Sequence, residues 1–359
     1  MNLPPVTRAT ASFERKNRLF IGAYGFEERS LGWVRLVSTG VAPLNSAIVF
    51  RYAHRKGNNR IEELQKTLKN LGCSEIREIR YDVAYPLDIE DTIEKKLSKV
   101  FHDVEEIVVD ISAMTKFLIL VLLSKLTPFE GKLRIVYSEA EDYAPSEEEY
   151  VKSKSEMGLI ARFPSRGSET ILRARCLSSI RMQGQPVTMV AFTSFNEQLV
   201  RHMLGTITPH RLIFINGHPP RQDFAWREKA TQEIHAKIID DYSADNPLDE
   251  HGSLIRTAST LDYLESVGIL GEIYKKHGLY ERIILAATGS KMQTVGLFVQ
   301  KMAHPDVHVE YPTPDSYYVT GMSRGVRQVH EVCLEQFSRS VRGLRESSKV
   351  LNAGTSITF

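Results

Sequence analysis

Four short polar stretches of this chain set hydroxyl, amide and cationic side chains where an apolar run gives way to a helical pattern. They are Gly25–Ser30, Ser112–Lys116, Thr193–Asn196 and Thr288–Gln293. Such residues at a helix start suit an anion, because the free N–H groups and the positive end of the dipole lie there and hydroxyls add donors. Lys116 and Lys291 would bring charge at equivalent places, and Arg29 a planar fork matched to phosphate. The candidate ligand-binding residues are Gly25, Phe26, Glu27, Arg29, Ser112, Thr115 and Lys116 in one half of the chain. In the other half they are Thr193, Ser194, Asn196, Thr288, Gly289, Ser290, Lys291 and Gln293. Taken singly, Ser112, Thr115, Ser194 and Ser290 read as ordinary helix N-caps. Their recurrence at matching loops, with a lysine in each half, favours a ligand.

Asp110 ends an apolar run, where a carboxylate can orient a loop or act as a base. With Ser112 and Lys116 it forms the candidate catalytic set, and since Ala287 is read as its counterpart, chemistry through Asp110 would belong to the first half only. Glu27, Glu28, Glu139, Glu141, Asp142 and Asp315 read mainly as solvated loop charges. No HExxH or HxH spacing occurs, and Cys73, Cys176 and Cys333 stand far apart, so neither a metal site nor a disulfide framework is expected. Thr288-Gly289-Ser290-Lys291 lacks the GxxxxGK[ST] spacing of a phosphate loop, and GAYGFEERS lacks GxGxxG. An ordinary NAD or ATP enzyme is disfavoured, and no cofactor is expected.

The elements that would position these loops alternate. Apolar runs at Arg18–Tyr24, Ser46–Tyr52, Glu106–Ile111 and Leu133–Tyr137, with EIREIRY between, are separated by helical patterns such as Ile61–Leu71. The order then restarts. Val187–Ala191, Arg211–Ile215, Lys237–Asp240, Arg282–Ala287 and Val307–Tyr311 read as the second set of strands. VVDISAMTKFLILVL aligns without a gap on ILAATGSKMQTVGLF, and VYSEAEDY matches VEYPTPDSYY. The expected fold is α/β: two tandem Rossmann-like units with mostly parallel sheets and a pseudo-twofold duplication. The expected boundaries are residues 1–146 and 187–318 for the two units, 147–186 for a linker or insert rich in charge, Ser and Gly, and 319–359 for a C-terminal helix and tail.

Bulk properties narrow the partners. A chain of 359 residues accommodates two domains, and 46 basic against 44 acidic residues leave a net charge of only +2. No strong field points to sequence-specific DNA binding. The first residues lack an apolar signal core and the longest apolar run is far too short to span a bilayer, so a cytoplasmic protein with no membrane partner is expected.

The strand–TGSKM–helix stretch at Thr288–Met292, in a Rossmann-like unit without the usual nucleotide fingerprints, resembles the CARF domains that sense cyclic oligonucleotides. Those show a TGGTK-type turn after their fourth strand and a polar loop after the first. Two such units in one chain is similar to the layout of SAVED domains in bacterial anti-phage signalling. As architecture the likeness covers Arg18–Tyr143 and Val187–Tyr318; the first half departs from it, because Asp110–Lys116 contains no glycine. The resemblance implies pockets for a cyclic or linear oligonucleotide, held by Thr288, Ser290 and Lys291 in one half and Ser112, Thr115 and Lys116 in the other. Phe26, Arg29, Thr193 and Asn196 would add contacts, and Tyr24, Phe26, Tyr143, Phe192, Tyr317 and Tyr318 could stack on bases. It implies a nucleotide sensor that acts through an effector protein or a homo-oligomer. The alternatives are a phosphodiester or nucleotide hydrolase or lyase, with signal cleavage among its reactions, and a scaffold subunit. The halves should be unequal, the second dominating through its glycine-bearing turn.

Overall fold

The computed structural model describes residues 3–11, 17–38, 44–53, 60–82, 85–97, 100, 103–155, 165–245, 255–317 and 322–353. Two compact units are present: residues 1–143 with 321–359, and residues 144–320. Unit 1 runs β1 (Thr7–Arg8), β2 (Arg18–Ala23), α1 (Gly32–Ser38), β3 (Ser46–Tyr52), α2 (Ile61–Asn70), β4 (Glu75–Tyr81), α3 (Pro86–Leu97), β5 (Glu106–Asp110), α4 (Lys116–Lys125), β6 (Lys132–Glu139) and β7 (Asp142–Tyr143). Unit 2 runs α5 (Glu147–Ser155), β8 (Ser165–Arg166), β9 (Thr170–Leu172), β10 (Val187–Phe192), α6 (Gln198–Ile207), β11 (Arg211–His218), α7 (Trp226–Asp245), β12 (Ile255–Ser259), α8 (Tyr263–His277), β13 (Arg282–Ala286), α9 (Lys291–Ala303), β14 (His308–Thr313) and β15 (Ser316–Tyr317). The chain then returns to unit 1 with β16 (Ser323–Arg324), β17 (Gln328–Leu334) and α10 (Phe337–Ala353).

The sheet of unit 1 has the order β1-β17-β6-β5-β2-β3-β4, and that of unit 2 the order β12-β11-β10-β13-β14-β9. In each, five parallel strands follow the doubly wound order in which the first and fourth strands are neighbours, β2 beside β5 and β10 beside β13. Their apolar composition explains this: β2 and β5 are buried along their whole length, as strands covered on both faces must be. Helix α4 is buried from Phe117 to Leu123, whereas α2 turns only Leu64 and Leu68 inward, one turn apart.

A second shared device closes each sheet beyond its fifth strand. In unit 1, β17 pairs antiparallel with β6 from Gln328↔Glu139 to Leu334↔Leu133, and the ribbon β16·β7 lies next to it in sequence. In unit 2, β9 pairs antiparallel with β14 and the ribbon β15·β8 accompanies it. The strand that completes unit 2 therefore lies between the two halves of the chain, and the one that completes unit 1 lies after the second half. A tyrosine pair recurs as well: Tyr137 and Tyr143 share a hydroxyl contact of 3.0 Å, and Tyr311 and Tyr317 one of 3.3 Å.

Several segments differ from the sequence expectation. Lys237–Asp240 is no strand but part of α7, where Thr231, His235 and Ile238 are buried at helical intervals. The third strand of unit 2 is instead Ile255–Ser259, a run with only modest apolar content. The expected linker or insert, residues 147–186, supplies α5, β8 and β9 to unit 2. Within the expected C-terminal helix and tail, Glu331–Leu334 is strand and the helix starts at Phe337. The strand is held by charge: Arg134 bonds to Glu106 at 2.9 Å and also to Glu331, and Arg18 lies 3.7 Å from Glu106, all four being buried. Among the described residues no helix is long and apolar enough to cross a membrane.

Candidate functional site

In an open parallel sheet, ligands bind beyond the carboxyl ends of the strands, where the strand order reverses. In unit 1 that point is the β2/β5 pair, and the structure brings the two loops that follow them into contact. A Cβ on Gly25 would lie 2.7 Å from Ala113 Cβ, so only glycine permits this approach. The β5–α4 loop is fastened from β3: the Tyr52 hydroxyl donates to Ala113 O at 3.1 Å and accepts from Thr115 N at 2.8 Å. Tyr52 was not among the expected residues, and nothing in its local sequence distinguishes it from a core tyrosine.

Most expected hydroxyls of unit 1 are engaged by the fold. Ser112 is fully buried and its Oγ accepts from Ser138 N at 2.8 Å. Thr115 caps α4, accepting from Leu118 N. Asp110 is buried and its Oδ1 accepts from Ser112 N at 2.9 Å, which fixes the turn out of β5. Arg29 is buried against Glu27 at 2.8 Å, with Tyr137 Oη 3.4 Å away and the Tyr143 ring beside it. Burial opposes its charge, but the Glu27 carboxylate more than offsets this and holds the guanidinium protonated. Its fork is thus spent on Glu27. Three further acidic residues have partners: Glu28 accepts from Gly325 N, Glu139 meets His330, and Asp142 pairs with Arg324. Phe26, Glu27, Thr115 and Lys116 remain half-buried around the loops. Burial lowers the Lys116 ammonium to about 8.

Unit 2 repeats the arrangement at β10/β13 with different fittings. Thr288 is buried and bridges the two strand ends, its Oγ1 donating to Phe192 O at 2.6 Å and accepting from Phe192 N at 3.0 Å. Gly289 packs on Phe192, where a Cβ would meet Gln293 Oε1 at 2.3 Å and Phe192 Cβ at 2.7 Å. Ser290 caps α9 in a reciprocal box: it accepts from Gln293 N at 3.0 Å, and Gln293 Oε1 accepts from Ser290 N at 2.8 Å. Ser290 Oγ also donates to Thr260 O at 2.6 Å, tying the loop to the end of β12.

The β10–α6 loop is anchored in the same way. Thr193 donates to Asn216 Oδ1, and Asn196 Nδ2 donates to Gly167 O at 3.0 Å. Asn216, two residues before the end of β11, was missed, although an asparagine closing the apolar run Leu212–Ile215 is a legible signal. Ser194, Gly289, Ser290 and Lys291 are half-buried. Phe195 joins a group unseen in the sequence: the Arg227 guanidinium lies 4.9 Å above its ring and 5.1 Å from Trp226, on which Tyr150 stacks at 5.6 Å. By contrast Tyr24 and Phe192 are buried beneath the loops, and Tyr24 donates to Glu78 at 2.6 Å, so neither ring is open for stacking. Tyr318 lies outside the described residues.

The equivalence between loops needs one adjustment. Ile111 N and Ala287 N make the same bond, to Val136 O and Glu310 O of the fifth strands, so Asp110 matches Ala286 and Ser112 matches Thr288. The caps Thr115 and Ser290, however, are followed in each unit by the lysine that opens the helix. Unit 2 therefore reaches its helix one residue sooner, and the ungapped alignment holds through the strand but not through the turn. A glycine at position 289 is what allows the shorter path.

Among the described residues no group of three or more His, Cys, Asp or Glu side chains could hold a metal. The chain matches no protein-family model and no curated protein. Among solved structures it is similar to Csm6 of Enterococcus italicus bound to cyclic hexa-2′-fluoro-hexa-dAMP, at 10% identity and a TM-score of 0.27, the match spanning only 35% of either chain. It is similar to a predicted O-methyltransferase of Agrobacterium tumefaciens at 12% identity and TM-score 0.21, over 46% of this chain and 68% of that one. A third similar structure is Can2 of Sulfobacillus thermosulfidooxidans in complex with cyclic tetra-adenylate, at 12% identity and TM-score 0.24, over 82% of this chain and 95% of that one. At such values these likenesses concern the α/β fold and carry no argument about chemistry.

Proposed function

We propose that the strand-end loops bind a nucleotide-type anion and that the chain is a sensor of a cyclic or linear oligonucleotide signal. One observation carries this reading: in each unit the loop at the strand-order switch enters a capped helix whose first residue is a half-buried lysine, Lys116 or Lys291. The hydroxyls hold the loops in shape, and the lysine heads with the helix dipoles supply the attraction. The resemblance of Thr288–Met292 to CARF turns points to oligonucleotides of bacterial anti-phage signalling. The bound state would be read by an effector protein or a second copy of the chain, in the cytoplasm.

Calorimetric titration with cyclic tetra-adenylate and cyclic hexa-adenylate, the kind of ligand held by two of the similar structures, tests the reading. Lys291→Ala should weaken binding by about tenfold, the loss of one charge-assisted contact, with thermal stability retained. Unchanged affinity in that variant would count against the site.

A pH series adds an independent check for unit 1. Lys116 loses its proton above about 8, so affinity for an anion beside it should fall as pH rises from 8. The slope is at most about tenfold per pH unit, until the raised pKa of the complex is reached. Lys116→Arg should flatten the profile, because guanidinium keeps its charge throughout. A slope that survives this substitution would sink the assignment. Cleavage of a bound phosphodiester is the second reading, favoured by a lysine that burial lowers to about 8, six residues beyond the buried Asp110. Product formation followed by chromatography, lost in Asp110→Asn, would select it.

A further inference from the structure

We infer that unit 2 carries a second anion site, at the sheet edge opposite its strand-end loops, suited to a nucleotide-sized polyanion with two or more phosphates. A cavity of about 850 Å³ opens where three parallel strands begin, lined by Val187, Arg282 and His308, the first residues of β10, β13 and β14. Arg173, Arg175 and Arg181, from the segment after β9, complete its cationic wall. Its volume lies within the range of small-molecule pockets, roughly 300–1,000 Å³.

Charge is unbalanced there. Of the described lining residues only Glu310 is acidic, and it is already occupied: Arg173 Nε donates to its Oε1 at 2.8 Å and His308 Nε2 lies 3.0 Å from the same oxygen. His308 is held in turn, its Nδ1 accepting from Ser179 N at 3.2 Å, which leaves the Nε2 proton for Glu310. Arg175, Arg181 and Arg282 also line the cavity, and among its described lining residues there is no second carboxylate. Arg282 Nε is buried and makes no hydrogen bond within the chain, which leaves that guanidinium incompletely satisfied. Planar forks of this kind recognise phosphate in pairs of parallel bonds. Val187, Ile207 and Ile284 supply an apolar floor on which a base could rest while the arginines take the phosphates.

No residue of this cavity belongs to the strand-end loops, so the two sites fail or stand separately. The test is titration calorimetry of the full chain with ATP and with inorganic pyrophosphate. Saturable binding is expected, weakened at least about tenfold in Arg175→Ala/Arg282→Ala, while the affinity of that variant for cyclic tetra-adenylate stays that of the wild-type chain. Should the first variant fold poorly because Arg282 is half-buried, Arg175→Glu/Arg181→Glu alters two exposed side chains and should weaken binding at least as much. Absence of binding by both probes overturns the inference, as does binding that survives the arginine substitutions.

Discussion

A chain ending at Thr320 is expected to lose the fold of unit 1 while unit 2 persists. The deletion strips β17 from β6 along seven residue pairs, from Gln328↔Glu139 to Leu334↔Leu133, and with it the strand on which β1 lies. Buried Val329, Val332 and Phe337 go too. Their hydrophobic contribution, about 1.5–3 kcal/mol for each large side chain, is already comparable to the whole stability of a domain, about 5–15 kcal/mol. Electrostatics compounds the loss. Arg134 and Glu106 would be left in the sheet without Glu331, and breaking a buried pair costs about 3–5 kcal/mol. Hydrogen exchange read by mass spectrometry should show β2, β5 and β6 exchanging freely, with β10 and β13 still protected. Protection of β5 and β6 in the truncated chain would contradict the account. A milder version, Glu331→Ala, should lower the melting transition of unit 1 without touching that of unit 2.

Gly289→Ala is expected to destabilise unit 2 and its candidate site together, by about 2–4 kcal/mol. The added Cβ would sit 2.3 Å from Gln293 Oε1 and 2.7 Å from Phe192 Cβ. Phe192 cannot retreat, because it is fully buried and its backbone is clamped by Thr288. Overpacking of this kind costs about 1–3 kcal/mol. Displacing Gln293 also opens the capping box with Ser290, worth about another 1 kcal/mol. Thermal denaturation checks the size of the effect. Ala113→Gly in the matching loop of unit 1 should do far less, since that loop is one residue longer and already accommodates a side chain. A neutral Gly289→Ala would mean that the turn has room the geometry denies it.

The parallel core was legible because its strands are continuous apolar runs between helical patterns, as in RLFIGA and EIVVD, and burial on both faces demands that composition. What escaped notice shares the opposite property. Ile255–Ser259 is an edge strand with exposed Arg256 and Thr257, and β9 is a three-residue strand at the other edge. Strand β17 carries His330, Glu331 and Cys333, and its burial depends on Arg134 and Glu139, nearly two hundred positions earlier. No local pattern announces such partners. Lys237–Asp240 misled for a related reason: paired isoleucines mimic a strand, and only the spacing of Thr231, His235 and Ile238 reveals the helix.

At the candidate site the residue types were readable and their division of labour was not. Thr288, Ser290, Ser112 and Thr115 carry the hydroxyls a phosphate would accept from, yet each is committed to a strand bridge, a loop contact or a cap. Arg29 looked free in the sequence because its partner Glu27 sits only two positions away, in a turn whose path could not be read. Positive charge at the helix starts therefore concentrates on Lys116 and Lys291. The attraction for an anion would rest on two side chains in place of fifteen candidates, which makes the reading easy to break.

Mass spectrometry of small molecules released by heat from the purified protein tests the central claim most directly. The wild-type chain is predicted to release an oligonucleotide with phosphodiester linkages, and Lys116→Ala/Lys291→Ala to release none at equal protein concentration. An empty wild-type protein that also takes up no added cyclic adenylate, or equal release from both proteins, would contradict it.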